Sequence, residues 1–297
     1  MGFTRIHHVG MVTGDLEKAC SILCDGFGLA VDEHRSPYPE GRLGYDGTTV
    51  LEFPIGEMYY EVAKPKDATT STGEFLANTN GRGGIYYISL ASDDLTNDVQ
   101  GLVQRGIKIV EPWDGKSAVF LDPATCLGLG LQITPEENYY VHPYYKGNGS
   151  LTGMAHIGIA ARDAEEIGHF LGQVIGLEED RSSERGREIP RSDTPRPADD
   201  PVHLLEFPIG GTVIEISIPT TSDSGTARLV AQRATLGATY HHTCPFAPDV
   251  HRFTDEAVAA GIQQIGTIPT REESTRVVAW FHPRTCLGML LEVWNRP

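Results

Sequence analysis

No run of about 18 consecutive apolar residues occurs in the 297-residue chain, so no transmembrane helix is expected. The opening "MGFTRIHHVG" lacks the apolar core of a signal peptide, and Ile6 stands where a myristoylation signal needs Ser or Thr. Cysteine is scarce: the five thiols are odd in number and show no disulfide or CxxC spacing. Cys20 and Cys24, one helical turn apart, read as packing residues. A reducing cytoplasm fits that usage best. Positive charge is also short. Lys and Arg number 24 against 40 Asp and Glu, a net charge of −16. A polyanion needs a basic footprint, so nucleic acid is not an expected partner, and anionic membrane surfaces are disfavoured. A small molecule is the expected partner, and a homodimer stays open.

What the chain has is repetition. "LEFPIG" stands at 51–56 and again at 205–210, about half a chain apart. "DPATCLG" at 122–128 echoes "HPRTCLG" at 282–288. "IHHVGMVTGDLEKACSILCDGFGL" at 6–29 resembles "MAHIGIAARDAEEIGHFLGQVIGL" at 154–177. Both read as a strand, a turn, an amphipathic helix and a closing Gly-Leu. Segments beginning at Gly83 and Ala238 follow the same plan, their helices ending at Gly106 and Gly261. The strand-like stretches "TTVLEFPIG", "MYYEVA", "SAVFLD", "LGLQIT", "TVIEISI", "VVAWF" and "MLLEVW" fill the rest. The chain therefore reads as an α+β protein of four strand–helix–strand–strand–strand modules. They begin near residues 4, 83, 152 and 238. The expected domains are 1–138 and 152–297, joined by a polar linker at 139–151. The breaker-rich segment 181–201 is too polar for a core and reads as a lid.

Four strands of the second half carry ligand-type side chains: His156 in "AHIGIA", Glu215 in "TVIEISI", His242 in "YHHTC" and Glu292 in "LLEVW". Alternate residues of a strand share a face, and here those neighbours are small or apolar. They are Gly158, Val213, Ser217, Cys244, Leu290 and Trp294. A lone carboxylate is costly to bury on such a face. Two His and two Glu converging on one divalent cation remove that cost. Imidazole with carboxylate suits Zn, Ni, Co, Mn or Fe(II). A single His or Glu in a half-buried strand is more often a hydrogen-bonded residue than a ligand. Four at matching places of a repeat weigh the other way.

These stretches, above all "HIGIAARD…GL", "YHHT" and "HPRTCLGMLLEV", resemble the vicinal oxygen chelate superfamily. That group includes glyoxalase I, methylmalonyl-CoA epimerase, extradiol dioxygenases and bleomycin-resistance proteins. The resemblance implies paired βαβββ modules forming two cupped, mixed sheets, with a metal inside the cup. It places the four ligands at His156, Glu215, His242 and Glu292, a set similar to that of bacterial glyoxalase I. The epimerases have Gln where this chain has Glu215. Their acid/base glutamate, not a ligand, falls on Glu206 of the second "LEFPIG". The implied activity is a metal-dependent lyase or isomerase that removes a proton beside a carbonyl. Glu206 would take the proton, and Glu292, if it can leave the metal, would return it on the other face.

In the first half the same four positions hold His8, Glu61, Tyr87 and Gln132. Neutral Tyr and Gln are poor ligands beside His and carboxylate, so this copy is expected to be degenerate. Two other readings remain. An Fe(II) extradiol dioxygenase would use His156, His242 and Glu292 and would need a further catalytic His, for which His203 and His282 are weak candidates. A non-catalytic resistance protein would sequester a small molecule. Arg181, Arg185, Arg187, Arg191 and Arg196 of the long loop could hold a substrate anion. They are interleaved with acids, which favours a solvated loop.

Overall fold

The computed structural model describes residues 2–137, 145, 147–181 and 200–295. The first half supplies β1 (Phe3–Val12), β2 (Arg42–Leu43), β3 (Thr49–Ile55), β4 (Met58–Lys64), β5 (Gly84–Ser92), β6 (Val119–Phe120) and β7 (Gly130–Pro135). The second supplies β8 (Gly153–Ala161), β9 (Val202–Ile209), β10 (Thr212–Pro219), β11 (Ala238–Phe246), β12 (Gln264–Ile265), β13 (Val278–Phe281) and β14 (Leu290–Trp294). One seven-stranded sheet runs β2-β3-β4-β1-β5-β7-β6, the other β12-β13-β14-β11-β8-β10-β9. Modules one and two thus share a sheet, as do three and four. Both sheets are mixed: β1 runs parallel to β4, whereas β3 and β4 are antiparallel.

Among the described residues six α-helices connect the strands: α1 (Leu16–Cys20), α2 (Ser71–Asn78), α3 (Leu95–Gln104), α4 (Ala164–His169), α5 (Gly225–Arg233) and α6 (Val250–Ala259). Each starts at a side chain that accepts a backbone N–H in the first turn: Asp15, Thr70, Asp94, Asp163, Ser224 and Asp249. The chain continues from α1 and α4 into π-helical turns at Ser21–Gly26 and Phe170–Ile175. The sequence patterns do not single out α2 and α5.

The repeated "LEFPIG" is a strand followed by the turn of a hairpin. Gly56 and Gly210 adopt φ of 58° and 59°, the left-handed region that a glycine enters without steric cost. The repeated "TCLG" is a second turn. Leu127 and Gly128, and likewise Leu287 and Gly288, all have positive φ. Asp122 and His282 open these turns in the same way, accepting N–H bonds from Ala124 and Arg284 at 3.0 and 3.1 Å.

By contact the chain separates into two compact units. One comprises Met1–His7, Tyr87–Glu137 and His156–His241. Within it Tyr240 donates its hydroxyl proton to the Gly130 carbonyl at 2.6 Å, and Ala238 N–H donates to Leu127 O at 2.9 Å. The other comprises His8–Tyr86, Asn138–Ala155 and His242–Pro297. Its core includes Phe253, whose ring meets Phe27 and Phe281 edge-on. There Tyr60 Oη and Thr243 Oγ1 hydrogen-bond at 2.9 Å, both buried. Among the described residues no helix is long and apolar enough to cross a membrane.

Candidate metal centre

The second sheet presents its ligand-type side chains as two similar pairs. His156 on β8 lies opposite Val213 of the parallel strand β10, and Gly158 lies opposite Glu215. The imidazole and the carboxylate are therefore two residues out of step on one face. His156 Nε2 is 3.9 Å from Glu215 Oε1. His242 on β11 lies opposite Leu290 of β14, also parallel, so Glu292 is again two residues further on. His242 Nε2 is 3.3 Å from Glu292 Oε2. Strand alternation and parallel register create both pairs, which is why duplicated modules deliver equivalent geometry.

Three of the four groups are buried, and Glu215 keeps 12% side-chain exposure. His156, His242 and Glu292 are 4%, 2% and 8% exposed. Each of these three offers an atom that can bind a metal. Bonds of about 2.0–2.2 Å from a divalent ion to nitrogen and oxygen hold neighbouring ligands roughly 3–4 Å apart. The 3.3 and 3.9 Å pairs match that spacing, and two carboxylates balance a 2+ charge. The donor set thus fits a borderline divalent cation. Burial pushes the Cys126 and Cys286 thiols up to about 12.

Glu206 lies on β9 directly opposite Glu215 of the antiparallel strand β10, so its side chain shares the ligand face. It is 8% exposed. His203 lies three residues earlier on β9, opposite Ile218, and so belongs to the other face. His282 is the cap of its turn. Of the loop arginines, Arg181 pairs with Glu179 at 3.0 Å and is exposed. Arg185, Arg187, Arg191 and Arg196, with most of the proposed lid, lie outside the described residues.

The first sheet repeats the register and changes the chemistry. Gly10 lies opposite Glu61, and Glu61 opposite Glu52, mirroring Gly158, Glu215 and Glu206. Here the facing carboxylates are bridged by a guanidinium. Arg42 Nε donates to Glu52 Oε1 at 2.7 Å, and its Nη2 donates to Glu61. Arg35 Nε donates to the other Glu52 oxygen at 2.7 Å. Burial works against the Arg42 charge, but Glu61 and Glu52 overcome it and hold the guanidinium above its ordinary value. His8 stacks on Tyr59 with ring centroids 4.7 Å apart, and Gln132 accepts the Ser89 hydroxyl at 2.8 Å. Arg35 and Arg42 escape a reading of the sequence, because nothing in "HRSPYPEGRL" marks which arginine reaches which strand.

The family model of the Glyoxalase/Bleomycin resistance protein/Dioxygenase superfamily matches residues 5–125 and 153–293. The chain belongs to that superfamily, once in each half. Among curated proteins it is similar to the mitochondrial methylmalonyl-CoA epimerase of Dictyostelium discoideum. The two are 26% identical over 138 residues, which is 45% of this chain and 79% of the relative. The Mus musculus epimerase is 28% identical over 134 residues, 43% of this chain and 71% of the relative. Among solved structures, a mutant of 4-hydroxymandelate synthase from Streptomyces coelicolor superposes with a TM-score of 0.71 at 12% identity. That match covers 100% of this chain and 93% of the other. A halotolerant catechol dioxygenase gives 0.58 at 13% identity, covering 99% and 87%. At such identities these structures speak to the fold alone.

Proposed function

We propose that the second sheet holds one divalent metal ion through His156, Glu215, His242 and Glu292, and that the protein is a lyase or isomerase acting on a small carbonyl compound. The observation that carries this reading is the pair of His–Glu couples at one shared register, with distances of 3.9 and 3.3 Å. When bound, the ion would supply Lewis-acid polarisation of the carbonyl. The rest of the work falls to the protein. Glu206 faces the ligand side from the neighbouring strand, and its carboxylate would accept the proton from the carbon next to the carbonyl. Glu292, if it leaves the metal and takes up a proton from solvent, would return one on the opposite side. The buried sheet around them excludes water that would otherwise compete for that proton. The epimerase relatives, named for an acyl-CoA thioester, support a thioester as the substrate class.

One observation favours a second reading. Glu215 keeps 12% side-chain exposure and forms the looser pair, at 3.9 Å against 3.3 Å, and without it His156, His242 and Glu292 have the two-His, one-carboxylate pattern of iron oxygenases. Two assays separate the readings. Metal-loaded protein incubated in deuterium oxide with a methylmalonyl thioester, a 2-keto acid or a hemithioacetal is expected to introduce deuterium at the acidic carbon. Oxygen uptake with catechols and no exchange would replace the lyase or isomerase with the dioxygenase.

A further inference from the structure

We infer that Trp280 is a substrate-positioning residue whose indole N–H donates to a ligand oxygen at the candidate metal centre; this rests on the metal-site reading above. Trp280 sits on β13 directly opposite Glu292 of β14, so it shares the face of that carboxylate. Its ring meets His242 edge-on at 5.5 Å. The side chain is therefore packed beside both members of the His242–Glu292 pair. The residue is 8% exposed, and Nε1, which can only donate, is buried without a hydrogen-bond partner among the described residues.

The duplicated sheet supplies an internal comparison. Phe120 of β6 lies opposite Gln132 of β7, as Trp280 lies opposite Glu292. Its ring meets Tyr87 edge-on at 4.9 Å, as Trp280 meets His242. An aromatic ring at this place thus fills the same packing role in both copies, and Phe suffices for it. The copy with the His–Glu pairs has the larger ring, and with it an N–H. Most buried donors are paired, and an unpaired one opposes folding. A donor left unpaired on a ring packed against His242, opposite Glu292, is suited to an acceptor that arrives with the substrate. An oxygen next to the reacting carbon is the natural acceptor, because a proton-abstraction reaction builds negative charge there.

The test uses full-length, zinc-loaded protein and acetohydroxamate, a small chelating ligand with two adjacent oxygens. The chain has three tryptophans, Trp113, Trp280 and Trp294, so indole-15N labelling gives three side-chain resonances. The one absent from Trp280→Phe is Trp280. On titration with acetohydroxamate its N–H resonance should move downfield, while that of Trp113, already bonded to Ser117 O, stays in place. Trp280→Phe should keep its zinc and a melting temperature no lower than wild type. It should bind acetohydroxamate roughly ten-fold more weakly, the size of one net hydrogen bond. A purely structural Trp280 would lose stability instead. The inference is overturned if zinc-loaded protein binds acetohydroxamate while the Trp280 resonance stays fixed and the variant binds equally well. Failure to take up zinc at all would remove the metal site itself, and the inference with it, and is read independently from the zinc content.

Discussion

Two carboxylates directly opposite each other on neighbouring strands repel, and the two copies of "LEFPIG" answer that repulsion differently. In the first copy Arg42 bridges Glu52 and Glu61, with Arg35 closing on Glu52. Removing one partner of a buried ion pair leaves the other charge uncompensated, at a cost of roughly 3–5 kcal/mol. Arg42 retains 33% side-chain exposure, so Arg42→Met should fall near the lower end, about 3 kcal/mol, measured by urea unfolding. A loss below about 1 kcal/mol would show that the cluster is solvated rather than structural. In the second copy Glu206 faces Glu215, which the proposed site assigns to the metal. Glu206→Gln keeps the shape of the side chain and cannot accept a proton. Turnover should fall by roughly 10²–10⁴ while metal content stays unchanged, and Glu52→Gln should leave turnover near normal. Near-normal turnover in Glu206→Gln would remove its role as base.

Turns and registers account for the repeats at the scale of elements. Gly288 has φ of 80°, and a Cβ there would lie 2.5 Å from the Gly83 carbonyl oxygen. Gly128 has the same backbone sense, but its nearest contacts would be 3.3 Å from a Leu236 side-chain atom and 3.4 Å from a carbonyl oxygen. Gly288→Ala should therefore destabilise by more than about 1 kcal/mol, and Gly128→Ala by less than that variant, compared by thermal unfolding. Equal effects would show that backbone strain alone decides. Most elements were legible because their signals are local. Alternation marks "TVIEISI", Asp caps open four helices, and Gly106 and Gly261 close two of them. Helices α2 and α5 were not, because each buries only two residues, Thr72 and Gly73 or Thr226 and Val230, and shows little apolar periodicity. The His and Glu candidates were legible because repetition singled them out. Arg42 was not, because its role depends on a two-residue edge strand, β2, reaching across the Glu52–Glu61 pair. Trp280 reads in sequence as one more core aromatic. Only its place opposite Glu292, matched by Phe120 in the other copy, sets it apart.

For the whole molecule, one fold is written twice and the cation differs: a guanidinium in the first sheet, a proposed metal ion in the second. An acidic chain of net charge −16 favours cation uptake and disfavours polyanions. A ligand that binds only the folded state stabilises by about 2.7 kcal/mol at one hundred times its dissociation constant. Chelation should therefore lower the melting temperature by several degrees, and re-addition of metal should restore it. A melting curve indifferent to chelator would argue against tight binding. The most direct test is the metal content of protein purified without added metal, taken together with that of two variants. Wild type and Tyr87→Phe should each carry about one divalent ion per chain, and His242→Ala should carry none. Equal metal content in wild type and His242→Ala, or loss of the ion in Tyr87→Phe, would contradict the assignment of the centre to the second sheet.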